Sequence, residues 1–419
     1  MKKQVVFIEP YQTVMIYKMA KEFRKRGYET ILIRILEPDK TNEDLYKTAY
    51  NKIIDMDLIY TKVSNKNLGK ISFTFLKKSK TFAYALKNLF MLKPYVVIGR
   101  APLSTPLIFF KTFFRNSPFI YFPYDIRSQA FETFEDAKKV FPVFEIKADR
   151  YCFENSDGLL HKGGPDELNY ISGRMLGDNI KLPDITLSFQ PYCSDEFIIP
   201  INKNKVSKDG KIHFVYIGGT GKPSKDFYYA QFSSLRNVLD QKIHIHMYFS
   251  SDVNFSKNQE EEKQIAIKDF YETYKKDKSI KYFHIHDSLG PKEIIKEISQ
   301  YDFGMFMTTL SLIAGIEPKF CTGNKISSYL EAGIPFFYRN NYEFINKLMK
   351  KYDLDFVYPE DFKDLPKIVK KINKKQMEKN VIKAREAFNI NKHFPRLEEF
   401  VKQVVSHKRE QQILKEANS

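Results

Sequence analysis

A glycine-rich segment in the second half of the chain has the residue types that bind phosphate. Gly218-Gly219-Thr220-Gly221 follows an apolar run, and Lys222 and Lys225 come soon after it. Glycines let backbone N–H groups approach a phosphate closely, and the two lysines add positive charge. A tight turn between a strand and a helix accounts for the glycines equally well, so the segment alone leaves both interpretations open.

A second phosphate-binding pattern lies at residues 322–337. Asn324 and Lys325 open a stretch with helical spacing, Ser327 and Ser328 follow in its first turn, and Gly333 ends it before an apolar strand. Free N–H groups at a helix start, with a lysine beside them, form a site for a diphosphate. This stretch is the strongest functional signal in the sequence.

Charged residues also follow two apolar strands in the first half of the chain. Arg100 ends the predicted strand 95–99, and Tyr124, Asp125 and Arg127 follow the predicted strand 118–122. Ligands bind outside the carboxyl ends of the strands in open α/β sheets. We therefore predict that Asp125 and Arg127 lie where the chemistry takes place, with Arg100 and Tyr124 at the same edge of the sheet.

Two histidine pairs raise the question of a metal. His244 and His246 alternate along one predicted strand, and His284 and His286 along another, so each pair shares a face of its strand. A zinc site needs a third ligand, and the spacing supplies none. We predict no metal site, and we take contact with a nucleobase as the better function for His286, which lies at a strand end.

The elements that position these residues alternate between strands and helices. This alternation predicts an α/β protein with parallel sheets. The predicted strands are 5–8, 30–35, 95–99, 118–122, 157–161, a strand and loop within 184–197, 212–219, 243–249, 280–285, 303–307 and 335–338.

The strands group into two successive domains. Residues 198–210 contain a proline, three lysines and a glycine with little to bury, which is typical of a linker. We therefore predict an N-terminal domain at 1–197, a linker at 198–210, a C-terminal domain at 211–385 and closing helices at 386–419.

Composition narrows the class of protein. The 419 residues carry 68 Lys+Arg against 51 Asp+Glu, a net charge of +17, and 43% are hydrophobic. These values exclude a disordered chain. The three cysteines are widely separated, which excludes a disulfide framework and favours a reducing compartment. With no signal peptide or membrane span in the sequence, we expect a cytoplasmic protein.

The positive charge has several possible partners. A nucleic-acid-binding protein would cluster its cations on a known module, and the sequence has none, so we predict no nucleic-acid partner. Residues 71–93 and 107–115 mix aromatic side chains with lysines, which suits the anionic inner face of the cell membrane. Two ordinary helices packed on the first sheet are the alternative, and coding bias spread over the surface also explains much of the charge.

The segment 322–337 resembles the "Lys-x-x-Glu-Tyr-Leu-Ala-x-Gly-x-Pro" helix of two-Rossmann (GT-B) glycosyltransferases, especially the retaining family 4, or group 1, type. Other segments are similar to that family in the same order along the chain. They are 145–160, 190–197, 283–307 and the closing AREAFNINKHF…EEFVKQV.

The resemblance implies two Rossmann-like domains facing across a cleft, with closing helices that cross back to the first domain. It also implies retention of anomeric configuration and no obligatory metal or cofactor besides the nucleotide sugar. The family's phosphate-binding lysine falls on Lys225, with Lys222 as competitor. Its nucleotide-binding helix start falls on Asn324 and Lys325. The family's catalytic glutamate is echoed by Glu317, with three extra residues before the helix.

One departure affects donor binding. The glutamate that holds the nucleotide ribose in that family falls on Ser328, and Glu331 lies about 300° further round the helix. The resemblance thus predicts a glycosyltransferase that moves a sugar from a nucleotide-sugar donor to a glycan or lipid-linked acceptor in cell-surface polysaccharide or glycoconjugate synthesis. In such an enzyme we expect Asp125 to orient or deprotonate the acceptor hydroxyl, and Arg100, Tyr124 and Arg127 to bind the acceptor. Two alternatives remain, a catalytically silent protein of this fold that binds a nucleotide or glycan, and a basic nucleic-acid-binding protein.

Overall fold

The structure is a computed structural model of the 419-residue chain. It describes all residues except 1, 11, 37–41, 59–78, 102, 125–134, 136–137, 140–142, 171–179, 203–204, 220–224, 251–256, 307–316, 321, 360–361 and 418–419. Asp125, Arg127 and Lys222 lie outside the described residues. The backbones of Lys225 and Glu317 are described, but their side chains are not.

The chain divides into two compact units. Unit 1 contains the described residues of 1–190, 317 and 390–419, and unit 2 contains those of 191–313 and 318–389. The predicted linker 198–210 falls within unit 2. There the Ile199 N–H donates to the Glu331 carbonyl, and the Val206 N–H donates to the Gln300 carbonyl.

Each unit is built on one parallel sheet. Unit 1 has seven strands in the order β3-β2-β1-β4-β5-β6-β7, and unit 2 has five in the order β10-β9-β8-β11-β12. The strands are β1 Gln4–Glu9, β2 Glu29–Leu36, β3 Lys52–Leu58, β4 Pro94–Arg100, β5 Phe119–Phe122, β6 Gly158–His161, β7 Thr186–Ser188, β8 His213–Gly219, β9 His244–Ser250, β10 Phe283–His286, β11 Phe303–Phe306 and β12 Phe336–Tyr338.

Helices connect most of these strands. They are α1 Val14–Lys25, α2 Glu43–Lys47, α3 Ser79–Phe90, α4 Ser104–Phe113, α5 Val143–Asn155, α6 Pro165–Tyr170, α7 Lys225–Ser234, α8 Arg236–Leu239, α9 Lys257–Tyr274, α10 Pro291–Ile298, α11 Glu317–Phe320, α12 Lys325–Glu331, α13 Glu343–Met349, α14 Leu365–Lys371, α15 Lys374–Ala387 and α16 Ile390–Ala417. Short 3₁₀ turns lie at Val206–Asp209, Ile280–Tyr282 and Lys350–Tyr352. None of the described helices is long and apolar enough to cross a bilayer.

The predicted α/β class with two parallel sheets is confirmed, with two differences in detail. β3 was not predicted from the sequence. The predicted strand 280–285 begins as a 3₁₀ turn, and its extended part is β10. Glycine ends α12 as predicted, because Gly333 has a φ of +73° directly after the helix.

The last helix, α16, packs on unit 1. The ring of Phe394 lies 4.7 Å from that of Phe23, and Lys408 Nζ lies 2.9 Å from Asp157 Oδ1. Gly158 lets the helix approach β6, since a Cβ there would lie 2.5 Å from Val404 Cγ2. The sequence resemblance implied this return of the closing helix to the first domain.

Candidate functional site

The strand order of unit 2 reverses between β8 and β11, and two of the predicted phosphate-binding residues, Gly218 and Lys325, meet there. In doubly wound sheets the crevice at such a switch point binds ligands. β8 ends in Gly218 and Gly219, and α12 begins at Lys325. A Cβ built on Gly218 would lie 2.9 Å from Lys325 Cε and 3.1 Å from Lys325 Nζ. The lysine therefore reaches the end of β8 because residue 218 is a glycine.

Aromatic rings hold the ammonium group of Lys325 in place. Its Nζ lies 5.0 Å from the centre of the Tyr216 ring and 5.7 Å from that of Phe306, within cation–π range. Gly323 makes room for this arrangement, since a Cβ there would lie 2.9 Å from Phe306 Cζ. The positive charge is thus positioned at the switch point by uncharged neighbours and can still bind an anion.

A buried tyrosine fixes α12 to both strands of the switch point. The Tyr329 hydroxyl is 2.8 Å from the Met305 carbonyl oxygen on β11 and 3.2 Å from the Val215 carbonyl oxygen on β8. Tyr329 is fully buried, and Gly304 accommodates its ring. The start of α12 is therefore rigidly attached to the sheet.

The first turn of α12 has polar groups with different uses. The Ser327 and Ser328 hydroxyls donate to the Asn324 carbonyl oxygen at 3.0 and 3.4 Å. The Asn324 Oδ1 is buried and has no hydrogen-bond partner among the described residues. The Asn324 side chain does not cap the helix start, and the Ile326 N–H donates to the Gly323 carbonyl oxygen at 3.2 Å. The Asn324 Oδ1 thus retains hydrogen-bonding capacity.

Glu331 has a structural contact inside unit 2. It is fully buried, and its Oε1 accepts a hydrogen bond from the Ser194 N–H at 2.7 Å. The Cys193 thiol lies 3.7 Å from the Ser327 carbonyl oxygen on the same helix. Glu331 therefore holds the 193–194 segment on α12, in agreement with the sequence argument that it does not replace the family's ribose-binding glutamate at Ser328.

Five histidines lie on one face of β8, β9 and β10. Three of them form a hydrogen-bonded line that we call the imidazole row: His213 Nδ1 is 2.9 Å from His246 Nε2, and His246 Nδ1 is 2.9 Å from His286 Nε2. The His213 end contacts the Asp209 carboxylate at 3.2 Å. The other two histidines pair at 2.8 Å and stack on the row. His286 therefore lies inside this array, and its contact with a nucleobase stays a prediction.

The array does not have the geometry of a metal centre. Nitrogens of His213, His244 and His246 lie within 4.8 Å of one another. The three ring planes, however, are parallel to within 6–23°, so their lone pairs do not point at a common position as the ligands of one ion must. Burial and the neighbouring imidazoles lower the pKa of His246 to about 2 and that of His284 to about 4.

The strand order of unit 1 reverses between β1 and β4, and a buried pair of a glutamic acid and an arginine side chain lies there. Glu9 ends β1 and Arg100 ends β4, with Arg100 Nε 4.0 Å from Glu9 Oε2. The Thr13 N–H donates to the same oxygen at 3.0 Å. Burial raises the pKa of Glu9 to about 8, although the Arg100 charge acts in the opposite direction. Sequence reasoning missed Glu9, although a carboxylate at the end of an apolar strand was visible as a signal.

Arg100 and Tyr124, two of the residues predicted to bind an acceptor, lie beside each other. The guanidinium of Arg100 lies 5.1 Å from the centre of the Tyr124 ring, and Lys162 Nζ lies 4.1 Å from it. Arg100 has no exposed surface. The geometry therefore supports positioning of Tyr124 as the role of Arg100, and direct contact with an acceptor stays a prediction.

Unit 1 also exposes large apolar side chains on α3 and α4. Tyr84 is 69% exposed, Phe90 75%, Met91 58% and Phe109 45%. The exposed Lys87 and Lys93 lie within or next to the same helix. The Gln412 side chain bonds to the Asn116 carbonyl, and the neighbouring Ile413 and Leu414 are also exposed. We call Tyr84, Phe90, Met91 and Phe109 the aromatic patch.

Neither the protein-family models nor the curated protein sequences contain a significant match to this chain. Solved structures do resemble it. Sucrose-phosphate synthase from Thermosynechococcus elongatus matches with a TM-score of 0.64 and 11% identity over 97% of this chain and all of that one. A glycosyltransferase from Rickettsia africae matches with a TM-score of 0.59 and 14% identity over 96% and 99%.

A third similar structure was solved with ligands. Anabaena HepE in complex with UDP and glucose matches with a TM-score of 0.58 and 11% identity, over 96% of this chain and all of that one. These matches extend along nearly the whole chain and include both sheets. Together with the two doubly wound units, they show that the chain has the GT-B fold of these glycosyltransferases.

Proposed function

We propose that the protein transfers a sugar from a nucleotide-sugar donor to an acceptor hydroxyl. The observation that carries the proposal is the Lys325 ammonium held over Gly218 at the switch point of unit 2. A diphosphate there would meet the lysine, the backbone at the end of β8 and the start of α12. These groups stabilise the negative charge that develops on the leaving nucleotide. UDP bound to HepE, a protein of the same fold, supports a nucleotide as the ligand.

The remaining donor and catalytic assignments belong to the same proposal. Lys225 or Lys222 would add positive charge beside the diphosphate, and Glu317 would act at the sugar. Asp125 would orient or deprotonate the acceptor hydroxyl, helped by Arg127 and Tyr124. The buried Glu9–Arg100 pair supports an acceptor site in unit 1. It links the carboxyl ends of β1 and β4 and places Arg100 against Tyr124.

Donor binding tests the proposal directly. A thermal-shift screen against uridine, guanosine, adenosine, cytidine and thymidine nucleotides and their sugars identifies the ligand, because a ligand of the folded state raises the melting temperature. Calorimetry then compares the wild type with Lys325→Met. Loss of a charge-assisted contact of about 1.5–3 kcal/mol weakens binding by about 10- to 150-fold. Lys347→Met, an exposed lysine of α13, is the matched control.

The outcomes separate the candidate functions. Equal donor affinity in Lys325→Met and the wild type would refute the site. Chromatography shows whether the bound donor releases a nucleotide product. Donor binding without any such product, from either transfer or hydrolysis, would favour the silent binding protein. A steeply salt-dependent affinity for a random oligonucleotide, with no nucleotide-sugar binding, would favour the nucleic-acid-binding alternative.

We further propose a lipid-linked acceptor, reached by docking of unit 1 on the anionic inner face of the cell membrane. The aromatic patch supports this proposal, because exposed aromatic rings beside lysines insert at a headgroup boundary while the lysines bind anionic lipid. A soluble surface rarely exposes so many large apolar side chains together. Synthesis of a cell-surface polysaccharide or glycoconjugate is the role that such an acceptor would imply.

Vesicle sedimentation tests the membrane proposal. Vesicles of phosphatidylglycerol and phosphatidylcholine should bind the wild type, and Phe90→Ser with Phe109→Ser should release it. Ile265→Ser is the matched control, since Ile265 is 61% exposed on unit 2. Binding that survives the double substitution, or that is equally strong on pure phosphatidylcholine, would contradict the proposal.

A further inference from the structure

Unit 2 contains a cavity at the edge of its sheet opposite the donor site. The cavity has a volume of about 590 Å³ and adjoins the amino ends of four strands, at Ile212, Ile243, Phe303 and Pro335. In a parallel sheet all amino ends lie on one edge, whereas Gly218 lies at the carboxyl end of β8. The cavity is therefore separate from the residues assigned to the nucleotide sugar.

The interior of the cavity is apolar. Ile243, Phe303 and Val381 are buried side chains of its wall, and Ile372 and Met377 are half-buried there. A volume of this size is in the range of small-molecule sites, which are mostly apolar with a few polar groups at fixed positions. An aliphatic group that enters would remove these side chains from water.

Exposed lysines also line the cavity. Lys211, Lys242, Lys370 and Lys374 are exposed, and none of their ammonium groups has an ion-pair partner among the described residues. We call this feature, with its apolar interior, the lysine-rimmed cavity. Because four like charges face one opening without carboxylates bound to them, an anion there would be attracted by all four.

Three further charged side chains line the cavity, one lysine and two carboxylates. The lysine and one of the carboxylates already make hydrogen bonds within the protein. Lys205 Nζ donates to the Ser299 carbonyl at 2.7 Å and to the Tyr301 carbonyl at 3.2 Å. Asp302 accepts a hydrogen bond from the His213 N–H at 2.9 Å. Glu378 is the second carboxylate at the wall. Five lysines and two carboxylates therefore line the cavity, and their net charge is positive.

We propose that the lysine-rimmed cavity binds an anionic amphiphile, which has a carboxylate or phosphate head on an aliphatic body. The head group would lie among the rim lysines, and the body would occupy the apolar interior. Neither feature alone selects this class, since a sugar phosphate would leave the interior unfilled and a neutral lipid would leave the rim charges unused. None of the residues proposed above for donor or acceptor binding lines this cavity.

Calorimetry on the full chain tests the proposal with decyl phosphate and decanoate as probes, both below their micelle concentrations. We expect saturable binding of one molecule per chain. Decanol and decyltrimethylammonium should bind at least about tenfold more weakly, because they lack the anion that the rim attracts. The stronger of the two anionic probes identifies the preferred head group.

Charge removal on the rim locates the bound probe. Lys370→Met with Lys374→Met changes two exposed helical residues and should weaken decyl phosphate binding by about tenfold or more. Lys347→Met with Lys351→Met removes two exposed lysines elsewhere on unit 2 and should leave the affinity unchanged. Circular dichroism verifies that both variants are folded.

Three results would overturn the proposal. The first is equal affinity for decanol and decyl phosphate, and the second is unchanged affinity in the rim variant. The third is displacement of the probe by the nucleotide that the thermal-shift screen identifies, which would place the probe in the donor site. If no nucleotide binds at all, the proposed function fails, but the probe experiment and its rim variant still decide the fate of the cavity proposal.

Discussion

Mildly acidic pH should destabilise unit 2 through the imidazole row. His246 is the central ring, only 8% exposed, with hydrogen bonds from both nitrogens to other histidines. Burial and the neighbouring rings lower its pKa from 6.5 to about 2. The folded state therefore keeps this ring neutral while the unfolded chain takes up a proton. Stability is fully present above pH 6.5 and is lost progressively as the pH falls below that value.

The size of the effect depends mainly on the unfolded state. At pH 5.5 the folded His246 is still neutral, because its pKa lies several units lower. The unfolded ring, with an ordinary pKa near 6.5, gains about 1.4 kcal/mol from protonation at pH 5.5 and about 0.1 kcal/mol at pH 7.5. We therefore expect His246 alone to lower the unfolding free energy of unit 2 by about 1.3 kcal/mol between these pH values.

A substitution isolates this contribution from all other titrating groups. His246→Gln keeps hydrogen-bonding capacity but cannot titrate. Hydrogen-exchange mass spectrometry of β9 peptides, corrected for the intrinsic pH dependence of exchange, gives the opening free energy of unit 2 separately from unit 1. The wild type should lose about 1.3 kcal/mol more protection than the variant between pH 7.5 and 5.5.

A second histidine provides the control. His407 lies on α16 of unit 1, and His407→Gln should leave the pH dependence of β9 protection as it is in the wild type. Equal losses of protection in His246→Gln and the wild type would refute the reasoning, because they would mean that the central ring titrates alike in both states.

Three further predictions follow from the two switch points. Gly218→Ala should weaken nucleotide binding by about tenfold in calorimetry, because its Cβ would displace the Lys325 side chain; unchanged binding would contradict the assigned site. Tyr329→Phe should destabilise unit 2 by about 1–2 kcal/mol in β8 hydrogen exchange, since two buried carbonyls lose a donor; no change would mean that water replaces the hydroxyl. The unfolding free energy of unit 1 should fall as pH rises from 5 to 8, because burial raises the pKa of Glu9 to about 8, and Glu9→Gln should abolish that slope in β1 exchange.

The sequence predicted most strands because buried parallel strands are short continuous apolar runs. β1 and β8 have this pattern, with Val5 to Ile8 and Phe214 to Ile217 fully or almost fully buried. β3 does not, since Asp55 and Asp57 interrupt Lys52–Leu58. Asp55 is engaged by Arg34 on the neighbouring strand. That pairing exists only once β2 and β3 are in register, so local sequence could not indicate it.

Candidate site residues could be predicted where a short stretch of sequence contains the whole pattern. The helix start at Lys325 and the glycine at 218 each have a local signature, and their proximity follows from the rule that ligand sites lie at carboxyl ends of strands. Glu9 and His213 were missed for a different reason. Each acquires its partner, Arg100 or His246, from a strand that is distant in sequence, and strand order and register decide such pairs.

The two switch points have the same topology but opposite chemistry, and this difference assigns their roles. In unit 1 the Arg100 guanidinium lies 4.0 Å from the Glu9 carboxyl group, both groups are buried, and the position is filled by the protein's own side chains. In unit 2 a glycine takes the corresponding place at the end of the first strand, and Lys325 lies beside aromatic rings that cannot neutralise it. A cation held by uncharged neighbours gains most from an external anion, because no internal partner has to be displaced. This contrast supports unit 2 as the donor-binding unit of the proposed function, in which the net charge of +17 would matter mainly where lysines lack carboxylate partners.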